Sequence, residues 1–102
     1  RVPARRISRI SAPNGAEHGA NGDEDSARRY ARLLVSEIRM YHQPLVDEGR
    51  RSRDLRSRLG GEIDRARRLY EARVPPAVRE RSDYFEQELV RTLADGDRSL
   101  LG

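Results

Sequence analysis

Apolar residues return every three or four positions along three stretches of this chain, and proline or glycine stands between the stretches. In the first, Ala27, Tyr30, Ala31, Leu34, Ile38 and Tyr41 fall on one helical face, and Leu33, Val35 and Met40 widen it. In the second, Leu55, Leu59, Ile63, Ala66 and Tyr70 keep the same phase. In the third, Phe85, Leu89 and Leu93 do so. A period near 3.6 is incompatible with strands, whose side chains alternate. The pattern predicts an all-α chain, an irregular bundle of three to four helices preceded by an extended N-terminal arm.

The breakers set the expected boundaries. Asp25 or Ser26 is placed to cap the first helix, and Glu17, Asp23, Glu24 and Asp25 lie toward the positive end of its dipole. Pro44 ends that helix, because the residue before a proline is pushed out of helical geometry. Gly60-Gly61 predicts a kink or a brief break within Leu45 to Val74. Pro75-Pro76 closes that element and opens the next, with Pro76 suited to a first turn. Asp83 with Glu86 three residues later reads as a capping box for a last helix from Tyr84 to about Ala94, which Gly96 stops.

Ahead of these helices the composition changes. Residues 1–10 hold Arg1, Arg5, Arg6 and Arg9 and no acid, and residues 11–25 are rich in Gly, Asn, Ala and acid. The expected organisation is therefore an arm and linker over 1–25 and a small helical domain over 26–102. About 75 residues bury only some 60% of their extended-chain surface, which leaves such a domain near the stability threshold without a staple or a partner. Cysteine is absent from the 102 residues, so no disulfide or thiolate-metal staple exists.

Missing residue types also remove reaction classes. All 21 basic residues are arginine, so a P-loop lysine and a Schiff base are both excluded. His18 and His42 lack metal-ligand spacing, and a weak cluster of His42 with Asp47 and Glu48 gives way to a helix-capping or exposed histidine. Glu37, beside apolar neighbours, is expected to be answered by an arginine rather than to act as a general base. Tyr30, Tyr41, Tyr70 and Tyr84 are read as packing residues. No catalytic, cofactor-binding or metal-ligating residue is expected, and no cofactor.

What remains are surfaces. Arg50, Arg51, Arg53, Arg56 and Arg58, continued by Arg65, Arg67 and Arg68, form the densest basic stretch. They suit carboxylate-bearing or phosphate-bearing partners if they are not spent on helix support at Asp47/Arg51, Asp54/Arg58 and Asp64/Arg68. Nucleic acid is the alternative partner, weakened by six acids against nine arginines between residues 45 and 75. The arm, through Arg1, Arg5, Arg6 and Arg9, is expected to order on a larger assembly. Leu100 and Leu101 are expected to dock back on the fold or into a partner. The broad stripe of the first helix offers homo-oligomerisation as a third reading.

No apolar run exceeds Leu33-Leu34-Val35, so no membrane span is read, and no apolar stretch follows the N-terminal arginines as a signal peptide requires. The expected location is cytoplasmic, or peripheral on the cytoplasmic face of the inner membrane. The opening without methionine is what a piece of a longer reading frame would show.

Residues Ala27 to Ile38 (ARRYARLLVSEI), followed by Tyr41, Gly49-Arg50-Arg51, Asp54-Leu55, Ile63, Tyr70 and Asp83-Tyr84-Phe85, resemble an uncharacterised helical domain at the C-terminal ends of bacterial proteins. That resemblance spans Ala27 to Gly96 and implies a fold and no activity. In overall character the chain is also similar to the membrane-extrinsic subunits of bacterial photosynthetic reaction-centre and light-harvesting complexes. Together these imply a non-enzymatic structural or interaction subunit that docks on and stabilises a larger assembly.

Overall fold

The computed structural model describes residues 19–102, which are all-α: six α-helical segments and no strand. They are α1 (Gly19–Tyr41), α2 (Gln43–Ser52), α3 (Leu55–Arg58), α4 (Gly60–Arg73), α5 (Pro76–Arg81) and α6 (Tyr84–Glu88). A π-helical turn, Leu89–Leu93, continues α6, and a 3-10 turn, Arg98–Leu101, ends the chain. Helix α1, about 34 Å long at 1.5 Å per residue, is the spine of the bundle. It packs against α4 along one side and against α6 and the π turn along the other.

Helix α1 begins at Gly19, earlier than its predicted cap. Asp25 and Ser26 lie inside the helix, and the glycines and acids assigned to the end of a linker form its opening turns. A clasp holds this end: the Tyr84 hydroxyl donates to Glu24 Oε1 at 2.8 Å and Arg81 Nη1 donates to Glu24 Oε2 at 2.8 Å. Those two bonds, Tyr84's first, hold the Glu24 carboxyl below its ordinary value. Ala27, Ala31, Leu34, Val35 and Ile38 are buried, as the periodicity requires, whereas Leu33, Met40 and Tyr41 are exposed.

Pro44 acts as expected on α1 and then serves α2. Its missing N–H removes a bond back to Met40, α1 stops at Tyr41, and Pro44 sits in the first turn of α2. The longer middle element is broken twice. Arg53 takes a left-handed conformation (φ 58°) after α2, and Asp54 N–H bonds to Gly49 O at 3.0 Å. Gly49 makes that reversal fit, since a Cβ there would stand 2.7 Å from Leu55 Cδ2. The second break is at Leu59, with Gly60 and Gly61 already inside α4.

Beyond α4 the chain follows the predicted punctuation. Pro75 is extended and Pro76 opens α5. Asp83 Oδ1 accepts from Glu86 N–H at 3.0 Å as the cap of α6. Phe85, Leu89 and Leu93 are fully buried, and Tyr70 packs on Phe85 with ring centroids 5.6 Å apart. Asp95 (φ 54°) and Gly96 (φ 85°) then reverse the chain. Asp97 accepts from Ser99 N–H at 3.0 Å, and the 3-10 turn folds onto α2 and α3.

Candidate interaction surfaces

The arginines between 50 and 68 divide by what they reach rather than forming one free face. Arg50 lies half-buried, donating from Nε to Leu93 O at 2.8 Å and from Nη2 to Thr92 O at 3.0 Å. These carbonyls close the last helical segment, where no further helical amide follows to satisfy them. Arg53 reaches Ser99 Oγ at 2.9 Å. Arg56 grips Glu86 through two bonds of 3.3 and 2.6 Å, which raises its guanidinium above the ordinary value. Arg58 forks onto Asp54 at 3.0 and 2.9 Å.

Glu86 is the hub of this network, with Arg98 Nη1 at 3.1 Å and Arg67 Nη2 at 3.6 Å from it besides Arg56. Arg65 pairs with Glu62 and Arg51 with Glu48, three residues away in each case. Of the three predicted helical pairs, Asp54/Arg58 forms as drawn, while Asp47 instead accepts from Gln43 at 2.9 Å. Arg50, Arg53, Arg56 and Arg58 thus bond to the chain's own carboxylates, carbonyls and hydroxyls, with Arg53, Arg56 and Arg58 remaining exposed. The cause is tertiary, because Glu86, Thr92, Leu93 and Ser99 lie thirty or more residues away in sequence.

The charge balance agrees. Residues 19–102 contain 17 arginines and 16 acids, a net of +1, so most of the chain's +4 resides in residues 1–18. Arg1, Arg5, Arg6 and Arg9 lie outside the described residues. Leu101 is 1% exposed and belongs to the core, Leu100 is partly buried against it, and Gly102 lies close against the Arg53–Asp54 turn. Leu101 is thus a core residue of the described fold.

Among the described residues the other titratable groups are spread over the fold. His42 caps the start of α2 by position and faces Glu62 at 3.6 Å, rather than Asp47 or Glu48. Glu37 is exposed, Tyr41 is exposed, and Tyr70 and Tyr84 are buried. Among the described residues Glu88 is the buried charge, with Arg32 Nε and Arg91 Nη1 each 3.7 Å away. Among the described residues no group of three or more His, Asp or Glu could hold a metal ion, and no helix is long and apolar enough to cross a membrane.

What stands unspent is apolar. Leu33 is 53%, Met40 64%, Tyr41 72%, Leu45 41% and Leu69 50% exposed. Leu33 and Met40 are seven residues apart, on one line of α1 that faces away from the core. Beside them a shallow groove of about 150 Å³ runs between α1 and α4, with Leu34, Ile38 and Ala66 among its lining and Tyr41 and Leu69 at its edge. Farther along, Arg73 stacks over the Tyr30 ring at 4.6 Å. Leu33 and Met40 are the residues that widen the apolar stripe of α1 in the sequence, and they lie on the part of it that the fold leaves uncovered. No protein family, curated protein or solved structure matches the chain, so geometry alone bears on its function.

Proposed function

We propose that this chain is a non-enzymatic interaction module that docks on a larger assembly through the outward face of α1 and the adjoining edge of α4. The observation that supports the reading is the set of five large apolar side chains left 41 to 72% exposed, three of them on α1. Burying a Leu or Met side chain fully is worth about 1.5–3 kcal/mol, so half-exposed residues of this size gain appreciably from being covered. Tyr41 and Leu69 edge one groove, and contiguous apolar exposure marks interaction sites more often than isolated exposed leucines do. The arginine network, by contrast, has its partners within the fold, and a net charge of +1 over residues 19–102 gives little purchase on phosphate backbones. The narrower proposal, a membrane-extrinsic subunit of a photosynthetic complex, draws on overall character and on no particular side chain described above.

The test is a double substitution, Leu33→Asp with Leu69→Asp, introduced in the native host. Helix content by circular dichroism should stay unchanged, because both side chains already face water. The wild-type chain should elute in a particle larger than 11.7 kDa, and the variant should leave it. A variant of intact helix content that remains in the same particle would remove this face from the proposal.

A further inference from the structure

We infer that the molecule covering the outward face of α1 is a second copy of this chain, laid antiparallel with Leu33 at the two-fold axis. The inference rests on the interaction face proposed above and names its occupant. Along α1, Ser26, Arg29, Leu33, Glu37 and Met40 share this side of the helix, and Arg29 and Glu37 stand four residues before and after Leu33. All but Ser26 and Arg29 are flanked by the apolar surface already described, and all five are exposed. Neither Arg29 nor Glu37 has an ion-pair partner among the described residues, whereas Glu62 and Arg65 across the α1–α4 groove are paired with each other.

The symmetry follows from that spacing. In an antiparallel pair about Leu33, a residue four positions before the axis meets the residue four positions after it, each about 6 Å along the helix from the centre. Arg29 then faces Glu37 of the second copy, twice over, and the small Ser26 faces the large Met40, also twice. The face is its own complement. A parallel pairing sets Arg29 against Arg29 and Glu37 against Glu37, which like-charge repulsion disfavours. Arg73, held over Tyr30 on the same edge, adds a second cation toward the incoming Glu37.

Sedimentation equilibrium on the 102-residue chain, from about 5 µM to about 1 mM at low salt, tests this. The wild type should pass from monomer to dimer mass across that range. Arg29→Glu alone and Glu37→Arg alone each place like charges face to face twice, and each should weaken the dimer about tenfold or more. The combined reversal restores both pairs and should recover the dimer to within about threefold. A wild type that stays monomeric to about 1 mM, or a combined reversal as weak as the single ones, would overturn the inference. The interaction face is judged separately. If the wild type is monomeric but Leu33→Asp with Leu69→Asp still leaves its native particle, the face stands and its occupant is a different protein.

Discussion

Replacing Arg50 with alanine should unfold this protein far more readily than any other truncation in the arginine-rich stretch. Its guanidinium donates to Leu93 O and Thr92 O, and no other described donor reaches those two carbonyls from outside their own helical turn. Hydrogen bonds to a charged group contribute about 1.5–3 kcal/mol each when buried, and because Arg50 is partly exposed, water replaces part of each, leaving about 1–1.5 kcal/mol apiece. The expected loss for Arg50→Ala is about 2–3 kcal/mol. Over the 84 described residues an unfolding entropy of about 2.1 cal/mol/K per residue gives roughly 0.18 kcal/mol/K, so Tm should fall by roughly 11–17 °C. Arg50→Lys keeps the charge but offers a single flexible ammonium in place of a two-pronged fork, and should fall between. Arg65→Ala is the control: its pair with Glu62 is exposed, and such pairs contribute about 0–1 kcal/mol. Urea denaturation followed by circular dichroism reads all three. If Arg50→Ala and Arg65→Ala agree within about 0.5 kcal/mol, the closing role of Arg50 is refuted.

Two further outcomes are expected. Gly49→Ala brings a Cβ within 2.7 Å of Leu55 Cδ2 and 3.1 Å of Leu55 Cα, and should destabilise by about 1–3 kcal/mol, whereas Gly60→Ala, with open space around it, should be neutral or stabilise by up to about 1 kcal/mol; thermal melts of the two distinguish them. Glu24, whose folded pKa lies below its unfolded value of about 4.3, contributes stability that is complete above that pH and is lost as pH falls through the folded value. Urea midpoints of the wild type should therefore drop more steeply from pH 5 to pH 3 than those of Glu24→Gln, and equal slopes would show that the clasp does not couple to acid stability.

Features fixed by neighbours in sequence were legible, and features fixed across the fold were not. The helical phase of Leu55 to Tyr70, the Pro75-Pro76 junction, the Asp83–Glu86 cap and the burial of Phe85, Leu89 and Leu93 each depend on a few adjacent residues. Gly19 to Asp25 misled because glycine lowers helix propensity, yet the Tyr84 and Arg81 bonds to Glu24 come from sixty residues away. The reversal at Arg53 depends on the bare Gly49 meeting Leu55, a contact that no propensity records. Glycines drew attention to 60–61, while the break fell at Leu59 because Gly60 and Gly61 fit without strain into the first turn of α4. The arginines looked like one surface because i to i+4 pairs are all that spacing reveals. Glu86, Leu93 and Ser99 reach them only once α6 and the chain end have folded back.

The π turn after α6 carries one more residue than an ordinary helical turn would hold, with Ala94 N–H bonding to Leu89 O at 3.0 Å across five positions. That surplus shifts the phase of the residues that follow by about 100° relative to an unbroken helix, just ahead of the reversal at Asp95 and Gly96 that returns the chain end to the fold. A one-residue deletion between 89 and 93 would heal the helix locally and still misdirect the whole tail. Length, more than side-chain identity, is the property of this segment that the rest of the fold tolerates least.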